Sequence, residues 1–182
     1  IKAQAGKLHG FYEVDRGIYR GSHPSTDKHF KQLTETGIKT ILSLQYSKIN
    51  NAPVKKMAIK YGMNFINIPI SAITSNKDLP DSKVIQILNI MQDDSLKPLY
   101  LHCLMGHDRT GLAIGLYRIH VQKWTPEAAY KEMRKFHFLP ILVLGLYKYF
   151  KDHTAPGSLH LIEDQPLEDS QDFLGQESLG AY

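Results

Sequence analysis

The stretch His102-Cys103-Leu104-Met105-Gly106-His107-Asp108-Arg109-Thr110-Gly111 places a thiol, a glycine-containing loop, an arginine and a threonine within a few residues. Cys103 is the only cysteine of the 182-residue chain. A Cys-x5-Arg loop that opens a helix suits attack on a phosphate ester. The thiolate is the nucleophilic form of cysteine, and a helix N-terminus with cationic neighbours favours it. Cys103 can then attack phosphorus and hold the phosphoryl group covalently. Arg109 can grip two equatorial oxygens with its planar fork, which lysine cannot do, and so stabilise the charge on the transferring group. Thr110 is suited to donate its hydroxyl to sulfur and ease departure of the thiolate in a second step. The run Leu104, Met105, Gly106, His107, Asp108 and Arg109 is the expected phosphate cradle. His102 reads as an organiser of the loop rather than a base. A lone cysteine is often simply buried, and chance can place an arginine six positions later. Chance explains less well the added His102, Gly106 and Thr110-Gly111.

The flanking sequence must position this loop. Lys97-Pro98-Leu99-Tyr100-Leu101-His102 reads as a short apolar strand entered after a proline. Leu112, Ile114, Leu116, Ile119 and Val121 follow in a buried helical run starting near Arg109 or Thr110. The loop then lies between a strand end and a helix N-terminus, where unpaired amides and the positive end of the helix dipole favour a phosphate dianion. Gly106 lets the loop curl. Periodicity predicts helices at about 26–36, 52–61, 81–93, 109–122, 126–136 and 140–151, and strands near 17–20, 38–44, 63–68 and 98–102. Thr125 as N-cap with Pro126 in the first helical position marks one start. The alternation implies an α/β fold, with a mainly parallel central sheet flanked by helices on both faces and a ligand at the carboxyl end of a strand.

The loop resembles the signature of the protein tyrosine phosphatases, His-Cys-x5-Arg-Ser/Thr-Gly, and looks like their compact dual-specificity branch. Ile18-Tyr19-Arg20-Gly21-Ser22-His23-Pro24-Ser25 followed by Gly37-Ile38-Lys39-Thr40-Ile41-Leu42-Ser43-Leu44 is similar to the opening of small phosphatases of that branch, which includes inositol-phosphate enzymes. The resemblance implies a dual-specificity phosphatase-like fold over roughly residues 16–152 and a phosphocysteine mechanism that needs no metal or cofactor. It also implies an acid on a loop upstream of the cysteine, here Pro69 to Asp81. The family usually places that acid around Ser71 to Thr74, where this chain has no carboxylate. Asp78 and Asp108 are the two candidates. Asp108 resembles the aspartate that precedes the arginine in myotubularin-type lipid phosphatases, where it is implicated in acid catalysis. The plainer role for Asp78 is capping the helix after Pro80, and for Asp108 holding the shape of the loop. Asp81 suits a first helical turn better than catalysis.

Three parts are expected: an N-terminal extension at 1–15, a phosphatase domain at 16–152 and an acidic tail at 153–182. The chain carries net charge +4, and because residues 153–182 hold six acids and no Lys or Arg, the remainder carries +10. A basic body suits an anionic substrate. No module of interleaved aromatic and basic residues points to nucleic acid, and no run is long enough to span a membrane. A monomer is the default expectation. A single cysteine does not decide the compartment; a cytoplasmic default stands beside export, for which Ala3-Gln4-Ala5 is only a faint signal.

For the substrate, Leu104 and Met105 stand where many phosphoinositide phosphatases carry lysine, so the loop alone does not make a strongly cationic pocket. His107 can act as a pH-dependent cation. Arg20, Lys77, Lys131, Arg134, Lys135 and His137 are candidates for a wider basic rim, or are ordinary surface charge. Such a rim suits a polyphosphorylated ring, so an inositol polyphosphate such as inositol hexakisphosphate is the preferred expectation. Protein phosphotyrosine is the alternative. A catalytically weak phosphate-binding module and a rhodanese-like sulfur transferase are further readings that Arg109-Thr110-Gly111 disfavours.

Overall fold

In the computed structural model, described over residues 7–72 and 79–159, short strands alternate with helices. Strand β1 (Tyr12–Asp15) is followed by β2 (Ile18–Gly21), α1 (Asp27–Glu35), β3 (Thr40–Ser43), α2 (Lys48–Lys60) and β4 (Asn64–Asn67). Then come α3 (Asp81–Gln92), β5 (Leu99–His102), α4 (Asp108–His120), α5 (Pro126–Lys135) and α6 (Leu144–Asp152). The sheet order is β1-β2-β5-β3-β4, with β2, β5, β3 and β4 parallel and β1 antiparallel on the edge.

Successive side chains of a strand point to opposite faces, and this chain uses both. Leu99 and Leu101 of β5, with Leu42 of β3, enter a core with residues of α3, α4, α5 and α6. Tyr100 and Ile41 enter the other, against Phe30 and Leu33 of α1 and Val54 and Ala58 of α2. Each parallel strand is therefore covered on both sides. Helix α4 is buried from Thr110 to His120, because it lies between the sheet and α3, α5 and α6. Its Arg118 forms a two-pronged ion pair with Glu132 of α5, at 2.8 and 2.7 Å, and stacks its guanidinium 4.4 Å from the Trp124 ring.

The structure departs from the periodic reading at several ends. Helix α2 starts at Lys48 rather than near 52, because Ser47 accepts from the Asn50 amide as N-cap and Pro53 sits inside the helix. Helix α6 starts at Leu144 rather than 140, since residues 139–143 form tighter turns, Leu142 N–H to Leu139 O and Val143 N–H to Pro140 O. Strand β1 was not expected, being short, polar and without clear alternation. The N-terminal boundary also moves. Leu8 is buried and its amide donates to Gln32, so residues 7–15 are built into the domain rather than extending from it. At the other end Leu159 is buried in the main core, which carries the packed chain past 153; residues 160–182 lie outside the described part. Thr125 caps α5 through the Ala128 amide at 3.2 Å, as its position before Pro126 predicts. Among the described residues no helix is long and apolar enough to cross a membrane.

Candidate active site

Strand β5 is the middle strand, and its last residue, His102, is level with Gly21 of β2 and Ser43 of β3. The chain leaves the sheet there and runs through residues 103–107 into the N-terminus of α4 at Asp108. For such a loop to present amides to an anion, its carbonyl oxygens must find donors elsewhere. They do. The His102 ring donates from Nδ1 to the Cys103 carbonyl at 3.0 Å. The His23 amide donates to the Leu104 carbonyl at 3.0 Å. The Arg20 guanidinium donates to the Gly106 carbonyl at 2.6 Å, and the Gly111 amide takes the His107 carbonyl at 2.7 Å as the first bond of α4.

Gly106 is obligatory in this packing. Its φ is +72°, and a Cβ there would stand 2.4 Å from the Gly21 carbonyl oxygen. Gly21 is equally constrained, since a Cβ on it would meet the Tyr100 hydroxyl, which donates to the Ser22 carbonyl at 2.6 Å. The 20–23 segment is thus the floor on which the loop rests.

Cys103 is buried and unbonded to any other cysteine. Thr110 lies in the first turn of α4 with its hydroxyl buried and unpartnered. Arg109 is half-buried, with one N–H reaching the Ile70 carbonyl at 3.4 Å, so it faces the segment that leads into residues 73–78. Asp108 accepts the Leu139 amide at 3.0 Å, tying the loop to the α5–α6 connection. Leu104 and Met105 are exposed. Asp78 and Lys77 lie outside the described residues. Asp81 accepts from the Tyr149 hydroxyl at 2.7 Å and pairs with His153 at 3.2 Å, a structural tether between α3 and α6.

The structure corrects the expected rim in one place. Arg20 is almost fully buried, with its guanidinium 4.1 Å from the Phe136 ring. It is a support beneath the loop, not a rim cation. Burial is the main cause that pushes its pKa down to about 10, so it still carries its charge at neutral pH. Lys131, Arg134, Lys135 and His137 are exposed on or just after α5. Arg134 turns one N–H to the Phe138 carbonyl at 2.7 Å. His137 comes beside the loop, its ring 5.0 Å from that of His107.

His102 is wholly enclosed and stacks on Tyr100. Burial pushes its pKa down to about 3, more than the bond to Cys103 O raises it. A neutral ring protonated at Nδ1 is therefore the resident form, as suits a loop organiser. His23, Gln45, Ser43, Asn51 and Asn67 escaped the sequence reading. The Gln45 amide bonds the His23 ring, and Asn51 and Asn67 both donate to the Gln45 carbonyl. These polar residues close the carboxyl ends of β3 and β4 around the floor. Ser43 and Asn67 carry one sequence signal, a polar residue at the end of a strand, and Asn51, inside α2, carries none.

A buried cysteine at the end of the central strand, a loop whose carbonyls are held by the scaffold and an arginine in the first turn of the next helix match the pattern of a cysteine-type phosphate-binding loop on an α/β scaffold. The sequence pattern of the tyrosine phosphatase family matches residues 7–142, and the protein belongs to that family. It is 27% identical over 129 residues to inositol diphosphatase DSP2 of Oryza sativa subsp. japonica, covering 69% of this chain and 61% of that protein. It is 27% identical over 132 residues to dual specificity protein phosphatase TpbA of Pseudomonas aeruginosa strain UCBPP-PA14, covering 70% and 54%. The chain thus spans less than two thirds of the length of either relative. Its fold matches the core catalytic domain of the PP-IP phosphatase SIW14 from S. cerevisiae, solved with citrate, with TM-score 0.68, 24% identity and 81% and 86% coverage. P. aeruginosa TpbA superposes with TM-score 0.65 at 23% identity, covering 79% and 84%. These likenesses establish a dual-specificity phosphatase-like fold.

Two outcomes are expected. Arg20→Met strands the Gly106 carbonyl and should weaken inhibition by inorganic phosphate about tenfold while costing about 1–3 kcal/mol of stability; unchanged inhibition would remove Arg20 from the support of the loop. For His102, the unfolded chain takes up a proton near the usual 6.5 and the folded chain only near 3. Its contribution to stability is therefore present above about pH 6.5 and is lost on acidification toward about pH 3. Thermal midpoints between about pH 7 and pH 4 should fall more steeply for the wild type than for His102→Asn.

Proposed function

We propose that this protein is a phosphomonoester hydrolase that works through a phosphocysteine on inositol phosphates carrying several phosphate groups. The observation that carries this reading is the loop itself: the carbonyls of Cys103, Leu104, Gly106 and His107 all have donors in the scaffold, which is what a loop that offers its amides to an anion requires. The Cys103 thiolate attacks phosphorus there as the bond from phosphorus to the ester oxygen breaks. Arg109 spans two equatorial oxygens, and the departing oxygen takes a proton from a carboxylic acid. Water then attacks phosphorus, the P–S bond breaks and inorganic phosphate leaves. The water's proton returns to the carboxylate, and the unpartnered Thr110 hydroxyl donates to the departing sulfur.

We assign the acid to Asp78. One oxygen of Asp108 is committed to the Leu139 amide, which makes Asp108 a tether for the loop, and Arg109 points toward the Ile70 end of the segment that carries Asp78. The similarity to proteins named inositol diphosphatases in rice, Arabidopsis thaliana and Saccharomyces cerevisiae supports a small-molecule substrate. The similarity to TpbA, named a dual specificity protein phosphatase, supports a second reading in which phosphotyrosine proteins are the substrate.

Phosphate release from inositol hexakisphosphate and from phosphotyrosine peptides, side by side with Cys103→Ser as the blank, decides between the two. Release mainly from the inositol ring is the expected result; release mainly from peptides makes the protein a protein phosphatase. On a substrate with a poor leaving group, Asp78→Asn should lower kcat by about 10²–10⁴-fold. Asp108→Asn should chiefly lower the thermal midpoint; the reverse pattern would move the acid to Asp108.

A further inference from the structure

Three histidines from three separate parts of the chain meet at one side of the loop. His107 belongs to the loop, and its ring lies 5.9 Å from that of His9 and 5.0 Å from that of His137. His9 is held there by its own carbonyl, which accepts the Ser22 amide at 2.9 Å, and by the buried Leu8 beside it. His9 and His137 are exposed and His107 is half-buried between them. The Nε2 atom of His107 is enclosed and has no partner in the protein.

The backbone of His137 is as telling as its ring. The His137 and Phe138 amides bond back to the Arg134 and Met133 carbonyls, the closing motif of a helix whose next residue is usually glycine. Histidine holds that position at φ +65°, in the left-handed region that costs most side chains free energy. Nothing in the helix ending itself calls for an imidazole there. Among the described residues no group of His, Cys, Asp or Glu has the geometry to hold a metal ion, so the trio is not a metal centre.

We propose that His9, His107 and His137 form a second anion subsite beside the catalytic loop, which takes the phosphoryl group next to the one being cleaved and so selects substrates with two adjoining phosphates. The inference rests on the phosphatase reading for the first phosphate alone and does not depend on the inositol ring. Imidazoles are suited to this task because a dianion binds their protonated form and releases them as they lose the proton. The groups facing His107 are His137, Asp108 at the start of α4, His9 from the N-terminal segment and Arg20 from β2. Partial burial first, then His137, His9 and Arg20 hold its pKa below the usual value, and Asp108 opposes them. An arriving phosphate supplies the missing counter-charge, so the subsite tightens as the pH falls.

The test uses the full chain and inorganic probes. Competitive inhibition of p-nitrophenyl phosphate hydrolysis by pyrophosphate and by orthophosphate is compared at about pH 6 and about pH 8, on either side of the imidazole range. Pyrophosphate should bind about tenfold more tightly than orthophosphate at the lower pH, a difference of about 1.4 kcal/mol, and the advantage should shrink at the higher one. His9→Gln with His137→Gly should abolish most of that advantage. Glycine accepts the left-handed backbone without strain, so His137→Gly alone should raise the thermal midpoint; a loss of selectivity in that variant cannot then come from a weakened fold. Equal binding of the two anions by the wild type, or an advantage that survives in the double variant, overturns the subsite. Proton resonances of the three imidazoles, followed with pyrophosphate and with orthophosphate, make the same distinction even if p-nitrophenyl phosphate is not turned over. A pyrophosphate advantage in a protein that ignores inositol phosphates would sink the proposed substrate and leave the subsite standing.

Discussion

A loop that binds a phosphate dianion with its amides must keep its own carbonyl oxygens away from that charge, and most of what surrounds this loop follows from that requirement. The donors that hold the carbonyls come from far apart in sequence: His102 within the loop's own strand, His23 just after β2, Arg20 within β2 and Gly111 in α4. Arg20 has the hardest task. It is a cation in the interior, which is costly unless its N–H groups are used and its face is covered. The Gly106 carbonyl takes one Nη2 N–H and the Phe136 ring covers the guanidinium, while the buried Nη1 has no partner among the described residues. The same packing leaves no room for a side chain at Gly106 or Gly21.

The scaffold serves this loop by its stiffness. A central parallel strand covered on both faces ends at His102, and the most buried helix begins a few residues later. The loop between them is short, so its ends cannot move independently. Asp108 adds a further tie, through the Leu139 amide, to the connection between α5 and α6. That connection also delivers His137 to the side of the loop, while β2 and the segment before β1 deliver Arg20 and His9. The surface beside the loop is in this way assembled from the N-terminal segment, the loop and the end of α5.

The family and the class of fold were legible in the chain itself. Cys103, Arg109, Thr110 and their spacing carry the family resemblance, because the loop's backbone path is local and glycine, strand end and helix start are all written within about fifteen residues. Short apolar runs that alternate with helical repeats likewise predict a parallel sheet with helices on both faces, since burial on two sides needs apolar residues at successive strand positions. Thr125 before Pro126 marked a helix start for the same local reason.

The tertiary structure decided what depends on which distant residues meet. Arg20 reads in sequence as one more surface cation, and only its place under Gly106 makes it a support. Asp108 has two equally good roles by position in the chain, and only the fold brings the Leu139 amide to its carboxylate. His9 and His137 are 128 positions apart, and no periodicity connects them through His107. Local order was readable because helix, strand and loop conformations are set by neighbours a few residues away. The burial of one arginine and the meeting of three imidazoles were not, because they depend on where the chain returns after the sheet and its two helical layers have closed.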